Sequence, residues 1–311
     1  MAQMNILVTG GAGFIASHIV DKYISLGHRI IVVDHNLKNK SYLNSKAQYI
    51  ESDIDDKKIE DIFRDNKIDV INHHAAQISV EDAEKFPEEN AKTNILGTLH
   101  LLEMARKYKI KKFIFSSSAA LYGNVKQLPV TENTLTNPNS QYGISKLCAE
   151  KYVLLYNQLY DLDITIFRYA NAYGPRQKGG VIALCTQNIL QNKPLAVRGD
   201  GETTRDFVFV EDIAEVNALV LTKQTQSKIF NVSTNTKTSI NNFITFLSDI
   251  TKITPQIIKT QLIAGEIINS RLDNTLIFKE LQWKPKTSFK EGLQKTIVAF
   301  EKEYNHKELG E

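Results

Sequence analysis

The feature that most constrains the fold is a glycine-rich segment near the amino terminus, residues 5–16, with the sequence NILVTGGAGFIA. An apolar, partly β-branched run stops at a cluster of glycines, and apolar residues at helical spacing follow, which is typical of a buried strand, a turn and a helix. Such a turn directs backbone N–H groups and a helix N-terminus at a phosphate. The spacing fits the dinucleotide-binding pattern, in which Gly11 permits the turn, Gly13 admits the pyrophosphate and Ala16 allows close helix packing.

The next predicted strand, Arg29–Asp34, supports this interpretation against a glycine-rich turn without a ligand. It ends in the acidic residue that the pattern requires about 20 residues later, where a carboxylate binds the ribose hydroxyls and repels a 2′-phosphate. After it, His35 and Asn36 supply no arginine, and Lys38 is the one basic residue nearby. The segment therefore predicts NAD rather than NADP.

Composition sets the class of protein. The 311 residues are 42% hydrophobic and 23% charged, which is ordinary for a globular chain of one large domain with a smaller one. A net charge of +3 does not indicate nucleic acid or an acidic membrane as a partner. No run of the sequence approaches the roughly 20 apolar residues that a membrane-spanning helix requires. Because the amino terminus leads directly into the first predicted strand, we expect no signal peptide. Only two cysteines, Cys148 and Cys185, argue against a disulfide framework or a metal site, so we expect a cytoplasmic protein.

Strand and helix patterns alternate beyond the first unit. The further predicted strands are Gln48–Glu51 and residues 69–73, 112–115 and 163–168, and the main helices are predicted around residues 59–63, 87–108 and 140–160. This alternation predicts an α/β fold with a doubly wound parallel Rossmann sheet, whose ligands bind beyond the carboxyl ends of the strands. Past Arg168 the regular alternation of strands and helices gives way to polar loops and shorter elements. We expect an NAD-binding domain over residues 1–170 and a smaller, mainly substrate-binding α/β domain over 171–311, with some segments returning to the first.

A candidate catalytic group follows the fifth predicted strand. Tyr142 and Lys146 are four residues apart, which places the phenol and the ammonium on one helical face. A lysine beside a tyrosine favours the phenolate and lowers its pKa, as a general base acting on a sugar hydroxyl requires. Ser118 ends the preceding strand and is placed to share the proton. The alternatives are an exposed helix face for the pair and strand-end capping for the serine run, which we prefer for Ser116.

On these motifs the sequence resembles the extended branch of the short-chain dehydrogenase/reductase family, and within it the nucleotide-sugar epimerases, notably the UDP-glucose (UDP-galactose) 4-epimerases. The resemblance covers essentially the whole chain. The matching segments are residues 9–15, Asp34, 53–54, 74–77, Asn94, 116–123, 142–146, 168–176, 199–207 and 265–266.

The resemblance implies the roles of individual residues. It makes Ser118, Tyr142 and Lys146 catalytic. The implied NAD-binding residues are Gly10, Gly13, Phe14, Ile15, Asp34, His35, Asn36, Asp53, Ile54, His74, Ala75, Asn94, Tyr142 and Lys146. The implied substrate-binding residues are Ser118, Asn171, Arg205 and Ser270. It also implies a nucleotide-sugar substrate, a 4-keto intermediate, and a homodimer in which the helices at residues 87–108 and 140–160 pair as a four-helix bundle.

The resemblance also separates related reactions. Dehydratases and decarboxylases of this branch carry an extra acid or base next to the catalytic hydroxyl, where this chain has Ala119 and Ala120. A 4-epimerase of UDP-sugars is therefore the expected activity. Two alternatives stay open: another NAD-dependent modifier, such as a hexuronic-acid 4-epimerase or a 4-ketohexose reductase, and a catalytically silent dinucleotide-binding regulator. Regulators of that kind usually lose the tyrosine or lysine, and both are present here.

Three positions depart from the family pattern. Ala16 replaces a glycine, Ala170 replaces a bulky aromatic residue, and Ile263 stands where an arginine that contacts the diphosphate is expected. Arg205 or Arg271 is the expected replacement for that contact, although Arg271 is otherwise only a surface charge.

The resemblance further implies a pocket residue that selects the sugar. In the related 4-epimerases, the position four residues after the acid at Glu266 lies beside the C2 substituent, and it is Ser270 here. A small side chain admits an N-acetyl group, so both UDP-glucose and UDP-N-acetylglucosamine are expected substrates. The alternative is that Ser270 begins a strand or turn and contacts no substrate.

Overall fold

The computed structural model describes residues 2–38, 40–262 and 267–308. The strands of these residues are β1 (Asn5–Thr9), β2 (Arg29–Asp34), β3 (Gln48–Glu51), β4 (Val70–His73), β5 (Lys112–Ser118), β6 (Asp163–Tyr169), β7 (Asn171–Tyr173), β8 (Leu195–Arg198), β9 (Thr204–Arg205), β10 (Phe207–Phe209), β11 (Ile229–Val232), β12 (Thr238–Ser239) and β13 (Ile257–Thr260). The helices are α1 (Phe14–Ser25), α2 (Lys58–Asp65), α3 (Val80–Lys85), α4 (Pro87–Ala91), α5 (Gly97–Lys107), α6 (Gln141–Tyr160), α7 (Val181–Leu190), α8 (Val210–Leu219), α9 (Ile240–Thr251), α10 (Thr275–Leu281) and α11 (Phe289–Glu308).

Seven strands form one parallel sheet in the order β11-β6-β5-β4-β1-β2-β3. Strand β1 lies inside the sheet, with Val8 paired with Val32 of β2 on one side and with Asn72 of β4 on the other. The chain builds outward from β1 in both directions, so a crevice opens beyond the carboxyl ends of β1 and β4. The predicted doubly wound α/β fold is confirmed.

Helices cover both faces of this sheet. One face packs against α1 and α8, with Ile19 and Val216 in its core, and the other packs against α2, α5 and α6, with Ile62, Leu102 and Val153. Burial on both faces explains why the strands are almost continuously apolar. No helix in the described ranges combines the length and apolar character needed to cross a membrane.

A smaller part lies over the carboxyl ends of the sheet. It contains the two-stranded pairs β7–β10, β8–β13 and β9–β12. An apolar cluster that includes Tyr173, Phe207 and Phe243 joins α7, α9 and α11 to these strands. The chain then returns to the large sheet, because β11 is paired with β6. The division at residue 170 stays a prediction, and β11 is a segment from beyond it that belongs to the large sheet.

The helix predicted over residues 87–108 is interrupted in the structure. A π-helical turn, Lys92–Leu96, separates α4 from α5. Such single turns are rare and often occur at functional sites. Here the turn contains Asn94, whose side chain is buried and bonded to other segments, and periodicity in the sequence does not predict this change of winding.

Candidate active site

The glycine turn between β1 and α1 brings the backbone close to a second segment. Gly10 has a φ of +69°, and a Cβ atom there would lie 2.8 Å from the backbone nitrogen of Ala75. A Cβ on Gly11 would lie 2.6 Å from a methyl group of Val32. The residue that takes the left-handed turn is therefore Gly10, whereas the sequence pattern had assigned the turn to Gly11. Gly11 is instead required by close packing against β2.

The helix after this turn begins without a side-chain cap. Gly13 is its N-cap residue, and Phe14 and Ile15 begin the first helical turn. Backbone N–H groups at a helix N-terminus attract an anion, so this end of α1 can bind a pyrophosphate. Ala16 is buried in the core against the sheet, which agrees with the expectation that one extra methyl group is accommodated there.

Asp34 lies at the carboxyl end of β2, almost fully buried, and connects two loops. Its Oδ2 atom accepts the Ala12 N–H at 3.0 Å, and its Oδ1 atom accepts the Asn36 N–H at 3.0 Å. His35 is exposed, with its Nδ1 atom 3.5 Å from Oδ1 of Asp34. The carboxylate thus fixes both the glycine turn and its own loop. The bond to Ala12 could not be inferred from the sequence.

Asp53 and Ile54 follow β3 beside this loop. The Ser52 N–H donates to the backbone oxygen of Asp34 at 3.0 Å, which places both residues at the same edge of the sheet. Ile54 is buried and Asp53 is exposed. The arrangement offers an apolar wall and a carboxylate at the end of the crevice where Asp34 lies.

His74 and Ala75 extend from β4 toward the glycine turn. The Ala75 N–H donates to the Thr9 hydroxyl at 3.2 Å, and Nε2 of His74 lies 3.1 Å from the Tyr169 hydroxyl oxygen. Burial, with a smaller effect from Lys146, lowers the pKa of His74 to about 3. Its Nδ1 atom is buried and has no hydrogen-bond partner among the described residues. A polar group of a bound ligand could form the hydrogen bond that this nitrogen of the neutral imidazole lacks.

Asn94 joins the loop after β4 to the helix α6. Its Oδ1 atom accepts the Gln77 N–H at 2.8 Å, and its Nδ2 atom donates to the Gln77 carbonyl at 3.0 Å and to the Ser145 hydroxyl at 2.9 Å. Ser145 in turn donates to the carbonyl of Tyr142. Both amide hydrogens of Asn94 are therefore used inside the protein, and one lone pair of its oxygen remains.

The three predicted catalytic residues meet where β5 ends and α6 begins. Ser118 is the last residue of β5, and its hydroxyl accepts the Ala120 N–H at 3.1 Å. Ser140 caps α6 by accepting the Gly143 N–H, which fixes the first turn that carries Tyr142. The Ser118 side chain is hydrogen-bonded to the Tyr142 phenol. The geometry thus brings the serine, the tyrosine and the lysine-bearing helix to one point.

The acid–base properties differ from the expectation. Burial raises the pKa of Tyr142, and the hydrogen bond from Ser118 opposes that change. Burial also lowers the pKa of Lys146 to about 7. The ammonium of Lys146 donates to the Ser116 carbonyl at 2.7 Å and lies 4.9 Å from the centre of the Phe115 ring. The expected lowering of the tyrosine pKa by Lys146 is therefore not present in the free protein, because desolvation dominates for both groups.

A buried polar network lies behind these residues, and sequence reasoning missed its centre. Glu150 accepts the Ser117 hydroxyl at 2.8 Å and the Arg168 Nε–H at 3.1 Å. Arg168 also donates to the Tyr122 hydroxyl at 2.8 Å and to the Glu132 carbonyl at 3.0 Å. The network joins α6, β5, β6 and the turn after Ser118. The available signal was spacing, since Glu150 lies one helical turn beyond Lys146 on the same face.

The predicted substrate residues lie on neighbouring segments of the smaller part. Thr204 and Asn269 form a parallel bridge, so Arg205 and Ser270 are the next residues on two adjacent segments. The Ser270 N–H donates to the Thr204 carbonyl at 3.1 Å, and the serine is mostly buried. Asn171 is exposed on β7, two residues beyond Tyr169, which is paired with Ser118.

Two further predictions concern the diphosphate contacts. Arg271 was expected either to replace a missing arginine or to be a surface charge, and its Nε atom donates to the carbonyl and side-chain oxygens of Asn235 at 3.1 and 2.7 Å. It is thus held in place on a partly buried segment. Ile263, together with Gly265 and Glu266, lies outside the described residues.

Comparisons with known proteins identify the family of this chain. The sequence model of the NAD dependent epimerase/dehydratase family matches residues 6–233. The UDP-glucose 4-epimerase of Mycolicibacterium smegmatis is 33% identical over 314 residues, with 96% of this chain and 98% of that protein covered. The crystal structure of the Thermotoga maritima UDP-glucose 4-epimerase with UDP-glucose is 40% identical, with a TM-score of 0.93 over 97% of this chain and 100% of that one. The UDP-N-acetylglucosamine 4-epimerase of Methanobrevibacter ruminantium is 30% identical, with a TM-score of 0.91 over 97% and 100%.

Proposed function

We propose that this chain, which belongs to the NAD-dependent epimerase/dehydratase family, is a UDP-sugar 4-epimerase that interconverts UDP-glucose and UDP-galactose. The observation that carries the proposal is the meeting of Ser118, Tyr142 and Lys146 at the carboxyl end of β5, beside the crevice between β1 and β4. The UDP-glucose 4-epimerases of Mycolicibacterium smegmatis and Thermotoga maritima support the proposal, because their names state this reaction at C4 of a UDP-sugar.

The residues around the crevice fit NAD. The turn at Gly10 packs against Ala75 and leads into the N-terminus of α1, which has no side-chain cap, so its backbone N–H groups can bind a pyrophosphate. The Asp34 carboxylate accepts one backbone N–H on each oxygen and has further lone pairs for the adenosine ribose hydroxyls. The unused Nδ1 atom of buried His74 is a further polar contact. Bound NAD supplies the hydride acceptor and donor for C4.

The protein supplies position and proton transfer. Tyr142 removes the proton from the C4 hydroxyl as the general base, and the Ser118 hydroxyl hydrogen-bonds to the same oxygen. The hydrogen bond between Ser118 and Tyr142 brings both hydroxyl groups to one point, where they are proposed to orient the reacting hydroxyl. Lys146 lies one helical turn from Tyr142 and donates to the Ser116 carbonyl, and its proposed role is to hydrogen-bond a ribose of NAD. After the 4-keto sugar turns over and C4 is reduced on its other face, Tyr142 returns the proton to the C4 oxygen.

The residues that follow Ser118 favour epimerisation over elimination. Loss of water from C5 and C6 of the sugar requires a second acid or base next to the catalytic hydroxyl. The chain has Ala119 and Ala120 at these positions, in the short turn that begins the segment after β5. Methyl groups transfer no proton, which supports the epimerase rather than the dehydratase branch of the family.

The substrate contacts form the less direct part of the proposal. Asn171 and Arg205 are proposed to bind the nucleotide diphosphate, and Ser270 is proposed to lie beside the C2 substituent of the sugar. The adjacency of Arg205 and Ser270 on bridged segments supports both roles. A small residue in this position admits an acetamido group, and the Methanobrevibacter ruminantium relative is named for such a substrate. We therefore include the N-acetylated pair among the proposed substrates.

Assembly and location complete the proposal. The helical segments at residues 87–108 and 140–160 were expected to pair in a homodimer, and their apolar residues fall into two groups. Leu101, Leu102 and Val153 are buried against the sheet, whereas Leu96 and Leu155 are exposed and remain for a partner helix. We propose a two-fold homodimer on this surface and a cytoplasmic location. Light scattering at micromolar concentration tests the dimer, and a monomer mass would contradict it.

The direct test is incubation of the purified protein with separate UDP-, GDP- and dTDP-sugars, followed by chromatography of the epimers. We expect UDP-glucose to give UDP-galactose, and the reverse, without added cofactor. Consumption of external NADH would indicate a reductase instead. Conversion of hexuronic acids alone would assign the other branch of 4-epimerases.

A further inference from the structure

Asp206 is a fully buried carboxylate next to Arg205 in the smaller part of the molecule. Its Oδ1 atom accepts the N–H and the hydroxyl of Thr234, both at 2.8 Å. Its Oδ2 atom accepts the Leu272 N–H at 3.2 Å, and its backbone carbonyl accepts the Asn171 N–H at 2.9 Å. One residue therefore connects four segments of chain.

The segments that meet at Asp206 are those that carry the proposed substrate contacts. Arg205 precedes it directly, Asn171 is bonded to its carbonyl, and Ser270 lies two residues before Leu272. Leu272 is 66 residues away in sequence, so nothing local fixes this arrangement. Without the carboxylate, the segment of Ser270 loses its hydrogen bond to the segment of Arg205 at this point.

We propose that Asp206 is a positioning residue for the nucleotide sugar, whose carboxylate holds the segment of Ser270 against the segment of Arg205 in the arrangement that binds UDP-glucose. This inference rests on the proposed function. Asp206 acts through the neighbouring residues, so its loss changes substrate affinity more than the rate of the chemical step.

The chemistry of the carboxylate makes the proposed arrangement sensitive to pH. All of its donors are uncharged, and burial raises the pKa of Asp206 to about 6 in spite of these hydrogen bonds. The charged residues on the surrounding segments are Arg205, Arg271 and Asp273, and Arg271 is bonded to Asn235, next to Thr234. When Asp206 takes up a proton, one oxygen becomes a donor that faces another donor, and a hydrogen bond between segments is lost.

The first test measures binding of UDP-glucose by titration calorimetry to the NAD-bound protein with Tyr142→Phe, which prevents turnover. Adding Asp206→Asn is expected to weaken binding by about tenfold or more, because an amide cannot accept on both of its polar atoms. In the otherwise unaltered enzyme, Asp206→Asn is expected to raise KM by a similar factor with little change in kcat.

Asp212→Asn is the matched control. Asp212 is also a buried aspartate, in the helix α8, and it accepts the N–H groups of Lys286 and Thr287 at 3.0 and 3.1 Å. Its partner segment contains no proposed substrate residue. The inference predicts unchanged affinity for UDP-glucose in this variant. An equal loss of affinity in Asp206→Asn and Asp212→Asn would overturn it, because the loss would then follow from a general destabilisation of the fold.

The second test needs no substitution at Asp206. Both phosphates of UDP-glucose are esterified, so its charge stays constant while the pH is lowered from about 7.5 to about 5.5. A group with a pKa of about 6 loses roughly three quarters of its ionised form over this range, so affinity is expected to fall by up to about fourfold as pH falls. The Asp206→Asn protein is expected to lack that component.

The outcomes separate the inference from the proposed function. Equal affinity with and without Asp206→Asn, or a pH response that is identical in both proteins, overturns the inference alone. If Asp206→Asn fails to fold, a pH-independent affinity of the Asp206 protein overturns it. Absence of any UDP-glucose binding by the Tyr142→Phe host contradicts the proposed function and, with it, the inference.

Discussion

Two buried carboxylates, one in each part of the molecule, are stabilised in opposite ways. Glu150 in the catalytic helix is paired with Arg168, whose Nη2 atom lies 2.5 Å from Oε1. Asp206 in the smaller part is held by backbone N–H groups and one hydroxyl, all uncharged. Burial raises the pKa of Asp206 to about 6. A buried carboxylate is thus paired with a cation in one region and hydrogen-bonded only to uncharged donors in the other.

This difference follows from the partners that each region offers to a buried carboxylate. Glu150 lies one helical turn from Lys146 on α6, and its pairing with Arg168 leaves no net charge at that position. Asp206 joins loops rather than strands of the large sheet, and the donors available there are backbone groups. We therefore expect substitutions in the catalytic region to change rate and stability, and substitutions in the smaller part to change affinity and selectivity.

The largest expected effect tests the catalytic side of this comparison. Tyr142→Phe keeps the ring but removes the proton acceptor, so kcat should fall by about 10²–10⁴-fold. Binding of NAD and the KM for UDP-glucose should change little. Steady-state kinetics and cofactor titration measure these quantities, and near-normal turnover would show that another group is the base.

Glu150→Gln tests the ion pair itself. Removing one partner leaves the buried Arg168 uncompensated, and the free energy of unfolding should fall by about 3–5 kcal/mol. Denaturant unfolding of the variant against the parent provides the measurement. The double variant Glu150→Leu with Arg168→Met is the control, since replacing both charges should restore much of the loss. Equal destabilisation in single and double variants would contradict a role for charge.

The proposed preference for NAD over NADP tests the role of Asp34, which belongs to neither carboxylate network. NADP should bind at least about a hundredfold more weakly than NAD, because its 2′-phosphate faces this carboxylate and like charges in contact cost several kcal/mol. Asp34→Asn should reduce this difference in affinity, because it should weaken the binding of NAD and leave the binding of NADP unchanged. Calorimetric titration with both cofactors decides this, and equal affinity in the parent protein would refute the assignment of Asp34.

The smallest expected effect concerns the substrate side. Ser270→Tyr fills space beside the C2 substituent, so kcat/KM for UDP-N-acetylglucosamine should fall by about tenfold or more relative to UDP-glucose. Ser270→Ala is the control that keeps the space open and should accept both sugars. If the tyrosine variant converts the two substrates in the parent ratio, Ser270 does not select the sugar and the adjacent segment must be reconsidered.

The sequence by itself determined the elements that depend on neighbouring residues. Apolar runs and glycines predicted the first strand, the turn and α1, and the alternation of patterns predicted the parallel sheet. The spacing of Tyr142 and Lys146 placed both on one face of α6, and Ser118 was predicted at the end of β5. These features follow from side-chain periodicity and turn chemistry, which act over a few residues.

Only the tertiary structure decided which distant segments meet. It assigned the turn to Gly10, placed β11 at the edge of the sheet and inserted a π-helical turn at Asn94. It also paired Glu150 with Arg168 and Asp206 with Leu272. Whether a buried acid keeps an ordinary pKa depends on the donors that folding brings to it, and those donors are set by contacts that no local pattern encodes.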